Sequence, residues 1–376
     1  MVFRERNNRV NIMWEYAKYY LGPLTQVLAM VGFYVGGDYV WVGVAFLPLM
    51  AMIDSVLPLD LRARKMKSGA IAFIPIWLST LMGPCVYLMF AWSLSHHDLA
   101  VSQVIGGVMS CAWLSVVPGV SAFHELYHAR GRVGRTVARY AQVCYLDPTR
   151  MEAHVVSHHR DVGTVVDSDT ARRGETLFSF APAAVIESTK LSQRVESDAL
   201  EKRGFARWSI RHHLWRAILA QIVFQCVLFA IGGWHAIVFS LAAMVIARFW
   251  VETFNYFQHY GQVRIEGSPI EKRHVWNHFG PLSRLVAFEI TNHADHHLNT
   301  YLPYYSLVPH KESIRMPSVF VCFFAALIPA VWFRMIIKPA LKQWDLEYAS
   351  VEERELAAEQ NRRAGWEDWA RQPVAA

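Results

Sequence analysis

The chain has 376 residues, 53% hydrophobic, with 14 Trp, 15 Tyr and 21 Phe, and its 37 Lys and Arg against 31 Asp and Glu leave a formal charge of +6. Five scattered cysteines (85, 111, 144, 226 and 322) form no CxxC, so neither a thiolate metal site nor a disulfide framework is indicated. Long uncharged stretches argue for membrane spans, and the positive balance then belongs to loops beside a membrane rather than to nucleic acid.

The N-terminal segment Met1-Val-Phe-Arg-Glu-Arg-Asn-Asn-Arg is polar. The first apolar stretch is long and lacks a small-residue cleavage site, so no cleavable signal peptide is expected. Helical spans are expected at 14–34, 39–58, 71–94, 101–122, 214–232 and 235–257. Tight turns at 36–38, 95–98 and 232–233 pair them into three hairpins. The loop at 59–68 carries Arg62, Arg64, Lys65 and Lys67, whereas 35–38, 95–100 and 232–235 carry no Lys or Arg. The positive-inside rule therefore places both termini and the polar regions 123–213 and 258–317 in the cytoplasm. It places His96, His97 and His235 on the opposite side. The apolar stretch 318–337 contains Pro329 and Arg334 and is expected to be re-entrant or interfacial, followed by a polar tail at 343–376. The expected fold is one all-α integral membrane domain over 1–376, with a cytoplasmic histidine-rich cap.

Histidines carry the chemistry. They stand at His124 and His128, at His154, His158 and His159, and at His293, His296 and His297. His259 ends the sixth span in Asn255-Tyr-Phe-Gln-His-Tyr-Gly261. Residues i and i+4 share a helix face, so 124/128, 154/158 and 293/297 each aim at one ion. His159 and His296 then suit a second nearby ion. Imidazole suits iron, copper, nickel and zinc, and nine imidazoles are too many for one ion. HExxH alone marks zinc metalloproteases, but that reading leaves both HH pairs unexplained. Glu125, Asp167, Asp169, Glu175 and Asp295 lie near these boxes and are read as groups that orient the ligands. His212, His213 and His310 are read as surface or headgroup contacts, and His274 and His278 as either ligand support or packing. A two-metal centre at the edge of a membrane favours attack by O₂ on a hydrocarbon dissolved in the bilayer. Trp113, Val117, Phe123, Phe249 and Phe254 are the expected cavity residues.

The HxxxH, HxxxHH and HxxHH boxes resemble those of the membrane fatty acid desaturase and hydroxylase superfamily. The segment at 255–261 is similar to the alkane hydroxylase branch. Leu57-Pro58, Asp167-Ser-Asp-Thr170, Arg173-Gly-Glu175, Glu289-Ile-Thr-Asn-His293 and Met316-Pro-Ser318 resemble the hydroxylases of xylene and p-cymene monooxygenases. That resemblance implies a non-haem centre of two irons held by the nine histidines. It implies a bacterial inner-membrane monooxygenase of aromatic-hydrocarbon catabolism, hydroxylating a ring methyl to a benzylic alcohol with O₂. It also implies electrons from a separate NADH-dependent reductase carrying FAD and a [2Fe–2S] cluster. This chain lacks GxGxxG and a cysteine cluster, so it could not collect electrons from NADH alone. The basic stretches 129–139 and 202–216 are the expected reductase docking surfaces. Medium-chain alkane hydroxylation and lipid desaturation are the alternatives.

Overall fold

A computed structural model describes residues 13–147 and 149–369. The polar N-terminal segment at 1–9 and the end of the 343–376 tail lie outside the described residues. Helices carry the fold: α1 (Leu21–Val35), α2 (Val42–Val56), α3 (Gly69–His96), α4 (Val101–Leu114), α5 (Ser121–Tyr127) and α6 (Arg132–Ala141). They continue as α7 (Leu177–Lys202), α8 (His213–Gln258), α9 (His293–Leu298), α10 (Val319–Ala326), α11 (Lys338–Glu347) and α12 (Val351–Arg363). Among the described residues one strand pair is present, β1 (Asn277–His278) parallel to β2 (Arg315–Met316).

Among the described residues, four helices are long and apolar enough to cross a membrane: Gly37–Val56, α3, Val101–Tyr127 and α8. The third joins α4 to α5 through a π-helical segment, Ser115–Val120. α8 has 46 residues, more than twice the ~20 that one crossing needs. Its helix is broken at Gly232 and at Gly233, whose φ of 62° is a left-handed value that glycine adopts without a steric penalty. The side-chain amides of Gln221 and Gln225 lie 3.5 and 3.6 Å from the Met244 sulfur. A straight helix would hold Gln221 and Met244 about 35 Å apart. α8 is therefore a hairpin, broken where the sequence places a turn.

The stretch 14–34 is helical along its whole length. Residues 13–17 are α-helical, a 3₁₀ turn follows over Lys18–Tyr20, and α1 continues from Leu21. Polar contacts surround that turn: the Tyr19 hydroxyl donates to Glu289, and Lys18 pairs with Glu15 at 3.0 Å.

The hairpin turns lie together at one end. A ring nitrogen of His97 is 3.0 Å from the Tyr34 carbonyl oxygen, Gln103 donates to Asp38 at 3.0 Å, and Gly232 sits against the Ala91 carbonyl. The basic loop 59–68 belongs to the other end, where Arg64 donates to Glu289 at 2.7 Å, close to His293.

The 318–337 stretch is broken rather than continuous. α10 has eight residues and is about 12 Å long, too short to cross hydrocarbon. Pro329 begins a new helical run that continues into α11. That run brings the tail back to the histidine end. Arg173 donates twice to the buried Asp345 carboxylate, at 2.6 Å each, and once to Asn361 at 3.0 Å. The same guanidinium donates to the Gly261 carbonyl at 2.8 Å, just past His259. Removing one partner of a buried ion pair costs about 3–5 kcal/mol. Asp345→Ala is therefore expected to lower the thermal unfolding midpoint of the detergent-solubilised protein sharply. An unchanged midpoint would contradict a tail held to the cap by this pair.

Candidate metal centre

Four pieces of chain deliver the nine histidines. The C-terminal end of the Val101–Tyr127 helix carries His124 and leads into His128. A π-helical turn, His154–His158, carries the second box and leads into His159. His259 caps α8, and α9 carries His293, His296 and His297. All nine are buried.

They form two adjoining groups. The first holds His124, His128, His154, His159 and His296. In it, Nε2 of His154 lies 2.8 Å from Nε2 of His124 and 3.1 Å from that of His159. His159 in turn lies 3.2 Å from His296. The second group holds His158, His259 and His297, joined by His293, whose Nε2 is 2.6 Å from His259 and 3.2 Å from His297. The rings of His159 and His297 stack between the groups at 4.5 Å.

The pairing within the second box differs from that of an α-helix. The wider π-helical turn sets His154 beside His159, five residues on, and sends His158 to the other group. In α9 the i,i+4 pair His293 and His297 does share a group, while His296 faces the first.

The donor chemistry fits metal ions. A metal–nitrogen bond of about 2.0–2.1 Å places ligands at right angles about 3 Å apart, close to the observed nitrogen separations. Both ring nitrogens of His128 and Nε2 of His158 are buried without a hydrogen-bond partner. Each such orphan costs about 1–3 kcal/mol unless something fills it. Burial lowers the pKa values of His154, His159, His259, His296 and His297 well below the usual imidazole range, and those of His128 and His293 to about 3. These rings are thus neutral, with lone pairs free for an ion. His158 is the exception: burial opposes its protonation most, but the Asp167 and Asp169 carboxylates together outweigh it and raise the pKa.

The carboxylates divide. Asp167 receives Nδ1 of His158 at 3.0 and 3.1 Å, which leaves Nε2 facing the centre. Asp169 lies beside His154 and His158. The other three hold backbone rather than any of the nine clustered rings. Glu125 accepts from the Tyr304 amide at 3.0 Å, Glu175 from the Arg172 amide at 2.7 Å, and Asp295 from the Val308 amide at 2.8 Å. Loop closure competes for these carboxylates and wins. Groups absent from the sequence reading orient other rings: Thr300 at 3.3 Å from Nδ1 of His159 and the Ile290 carbonyl at 3.1 Å from Nδ1 of His293.

Two charged knots lie around the centre, and of their carboxylates the sequence reading reaches only Asp169 and Glu289. Arg150 binds Asp147 at 2.7 Å, Glu252 at 2.5 Å and Asp169 at 3.5 Å, and Arg248 pairs with Glu252. Glu289 collects Tyr19, Arg64, Arg284 and Asn292 just ahead of His293. Arg248 and Glu252 stand alone as charges in the second apolar arm of α8, and that was a readable signal.

The remaining histidines lie outside both groups. His274 contacts Glu353 at 2.7 Å, His278 contacts the Pro317 carbonyl at 2.7 Å, and His310 contacts Asp295 at 3.2 Å. His212 is buried and stacks on Trp208 rather than lying at the surface. His213 sits between Glu152 and Glu196 at 3.3 and 3.4 Å, with Arg139 on Glu152.

An apolar cavity of about 60 Å³ adjoins the centre, with His124, His154, His259 and His293 in its wall. Of the five residues expected at a cavity, Val117 and Phe254 line this one. Trp113, Phe123 and Phe249 do not. Trp113 packs on Trp250 and Phe323, Phe123 stacks on Tyr145, and Phe249 stacks on Phe178. Helix-to-helix packing takes those rings. The cavity is smaller than the ~150 Å³ apolar cavity known to hold benzene, so an aromatic guest requires side chains to shift.

Residues 100–316 match the fatty acid desaturase family. The chain is 39% identical to the xylene/toluene monooxygenase hydroxylase component XylM of Pseudomonas putida, over 94% of this chain and 96% of that one. It is 30% identical to alkane 1-monooxygenase 1 of Pseudomonas aeruginosa, over 69% and 68% of the two chains. It is 24% identical to alkane 1-monooxygenase 1 of Alcanivorax borkumensis, over 86% and 83%.

The contacts separate two carboxylates experimentally. Asp167→Asn is expected to weaken metal retention about 10- to 100-fold, whereas Asp295→Asn keeps full metal content. Metal analysis after graded chelation reads both, and equal losses would contradict the assignment.

Proposed function

This chain belongs to the fatty acid desaturase family of membrane enzymes, and we propose that it is the hydroxylase component of a monooxygenase acting on alkyl-aromatic hydrocarbons. Its reaction is O₂-dependent hydroxylation of a ring methyl group to a benzylic alcohol. The observation that carries this reading is the apolar cavity with four of the nine histidines in its wall. The extended likeness to a xylene/toluene hydroxylase supports the substrate class.

In this reading the nine imidazoles hold two irons, five at one and four at the other. Bound iron supplies the activation of O₂ that neutral side chains cannot. The protein supplies the rest. Val117 and Phe254 hold the ring by apolar contact, with its methyl toward the histidine wall. Burial of the centre excludes water. The Asp167 carboxylate keeps the His158 proton on Nδ1, so Nε2 remains a donor to the ion.

The enzyme lies in the bacterial inner membrane with its centre on the cytoplasmic side. The basic 59–68 loop at the histidine end and the turns without Lys or Arg at the other support this orientation. Electrons come from a separate NADH-dependent reductase carrying FAD and a [2Fe–2S] cluster. Residues 129–141 hold four arginines and no acidic residue. Arg139 is engaged by Glu152 at 2.5 Å, while Arg130, Arg132 and Arg135 are exposed and suit an acidic partner.

Two assays test these readings. Vesicles holding the hydroxylase and reductase are given toluene, p-xylene, octane or a saturated acyl lipid. Benzylic alcohols are the expected products. Octanol alone would move the assignment to an alkane hydroxylase, and a new double bond to a desaturase. Arg132→Glu with Arg135→Glu is expected to slow reductase-driven turnover and flatten its salt dependence, while chemically reduced turnover is unchanged. An unaltered reductase-driven rate would contradict that docking site.

A further inference from the structure

The stretch between α7 and α8 reads Arg203-Gly-Phe-Ala-Arg-Trp-Ser-Ile-Arg-His-His-Leu-Trp-Arg216. It has a second character besides its charge. Ile210 is 83% exposed, Trp208 52% and Trp215 42%. Burying three large apolar side chains is worth about 1.5–3 kcal/mol each, so water is a poor neighbour for this surface. The apolar face does not stop at Trp215. It continues along the first arm of α8 through Ile218, Leu219, Ile222 and Val223, all exposed. That arm is part of a helix apolar enough to cross a membrane, so its exposed face meets acyl chains. The 208–215 surface is continuous with it.

The cations on this stretch divide into two sets. Arg207 is spent on Asp198 and Glu201, at 2.7 and 2.8 Å, and Arg203 approaches Glu196 at 4.0 Å. Arg211 and Arg216 are exposed and make no ion pair among the described residues. The Arg211 guanidinium carbon lies over the Phe205 ring, 4.1 Å from its centre, which fixes it beside the apolar surface. Trp208 is held in turn by stacking on buried His212 and by its edge on Trp215. Two unpaired guanidiniums at the rim of an apolar, aromatic surface match one chemistry: a phosphate diester with two acyl chains. The tails cover Ile210, Trp208 and Trp215, and the phosphate meets Arg211 and Arg216.

We propose that residues 205–216 form a headgroup site for anionic phospholipid, not a second docking surface for the reductase. This site anchors the hinge between the cap and the first arm of α8. Each basic residue near an anionic membrane surface is worth about a factor of five in binding. Losing two weakens binding about thirtyfold.

The test uses the full chain, purified in detergent and reconstituted into nanodiscs of zwitterionic lipid with a minor share of phosphatidylglycerol. Phosphatidylglycerol retained per protein after exchange is counted by mass spectrometry, for wild type, for Arg211→Gln with Arg216→Gln, and for Arg211→Lys with Arg216→Lys. Retention in wild type, about thirtyfold weaker in the glutamine variant and largely kept in the lysine variant, is the expected result. The lysine variant also reports whether the segment folds. Equal retention in wild type and the glutamine variant overturns the proposal. So does unchanged lipid retention with a raised KM for the reductase, which would return this surface to the protein partner.

Discussion

Nine imidazoles packed nitrogen to nitrogen inside a protein form an arrangement that needs an ion to complete it. Without one, buried lone pairs face each other and orphaned ring nitrogens such as those of His128 go unsatisfied. The rest of the molecule holds this arrangement in place. Its three hairpins put their bare turns at one end and their histidines at the other. The charged knots around Glu252 and Glu289 brace the centre from below and from the side. The C-terminal tail closes over it through Arg173 and Asp345.

The division of roles among charged groups follows from geometry. A buried carboxylate serves best where several donors converge. Glu289 and Glu252 gather arginines from distant segments and fix the loops that carry His293 and Arg150. Asp167 serves a ring directly. Function then rests on two neighbouring environments, a donor-rich polar layer and an apolar cavity sharing one wall. A hydrocarbon that enters the second, once its side chains shift, touches the first.

Much of this was legible in the sequence. Spacing of three to five residues between histidines named eight of the nine that converge, and the position of His259 at the end of the sixth span named the ninth. The absence of Lys and Arg from three turns marked one end of the bundle. Other features depend on backbone detail that spacing does not carry. The π-helical turn at His154–His158 regroups that box, and nothing in His-Val-Val-Ser-His-His requires it. The first span tightens to a 3₁₀ turn at Lys18–Tyr20, where Tyr19 meets Glu289 from far along the chain. Trp113, Phe123 and Phe249 are apolar and near the right helices, but ring-on-ring packing withdraws them from the cavity. Glu125 sits between two ligands in sequence, yet its carboxylate turns to the Tyr304 amide.

The central claim is that the two groups of histidines each hold an iron. Metal analysis of the purified protein, wild type and His259→Ala, measures this most directly. Two irons per chain, falling toward one when His259 is removed from the four-histidine group, is the predicted result. A single zinc per chain, unchanged in His259→Ala, would contradict it.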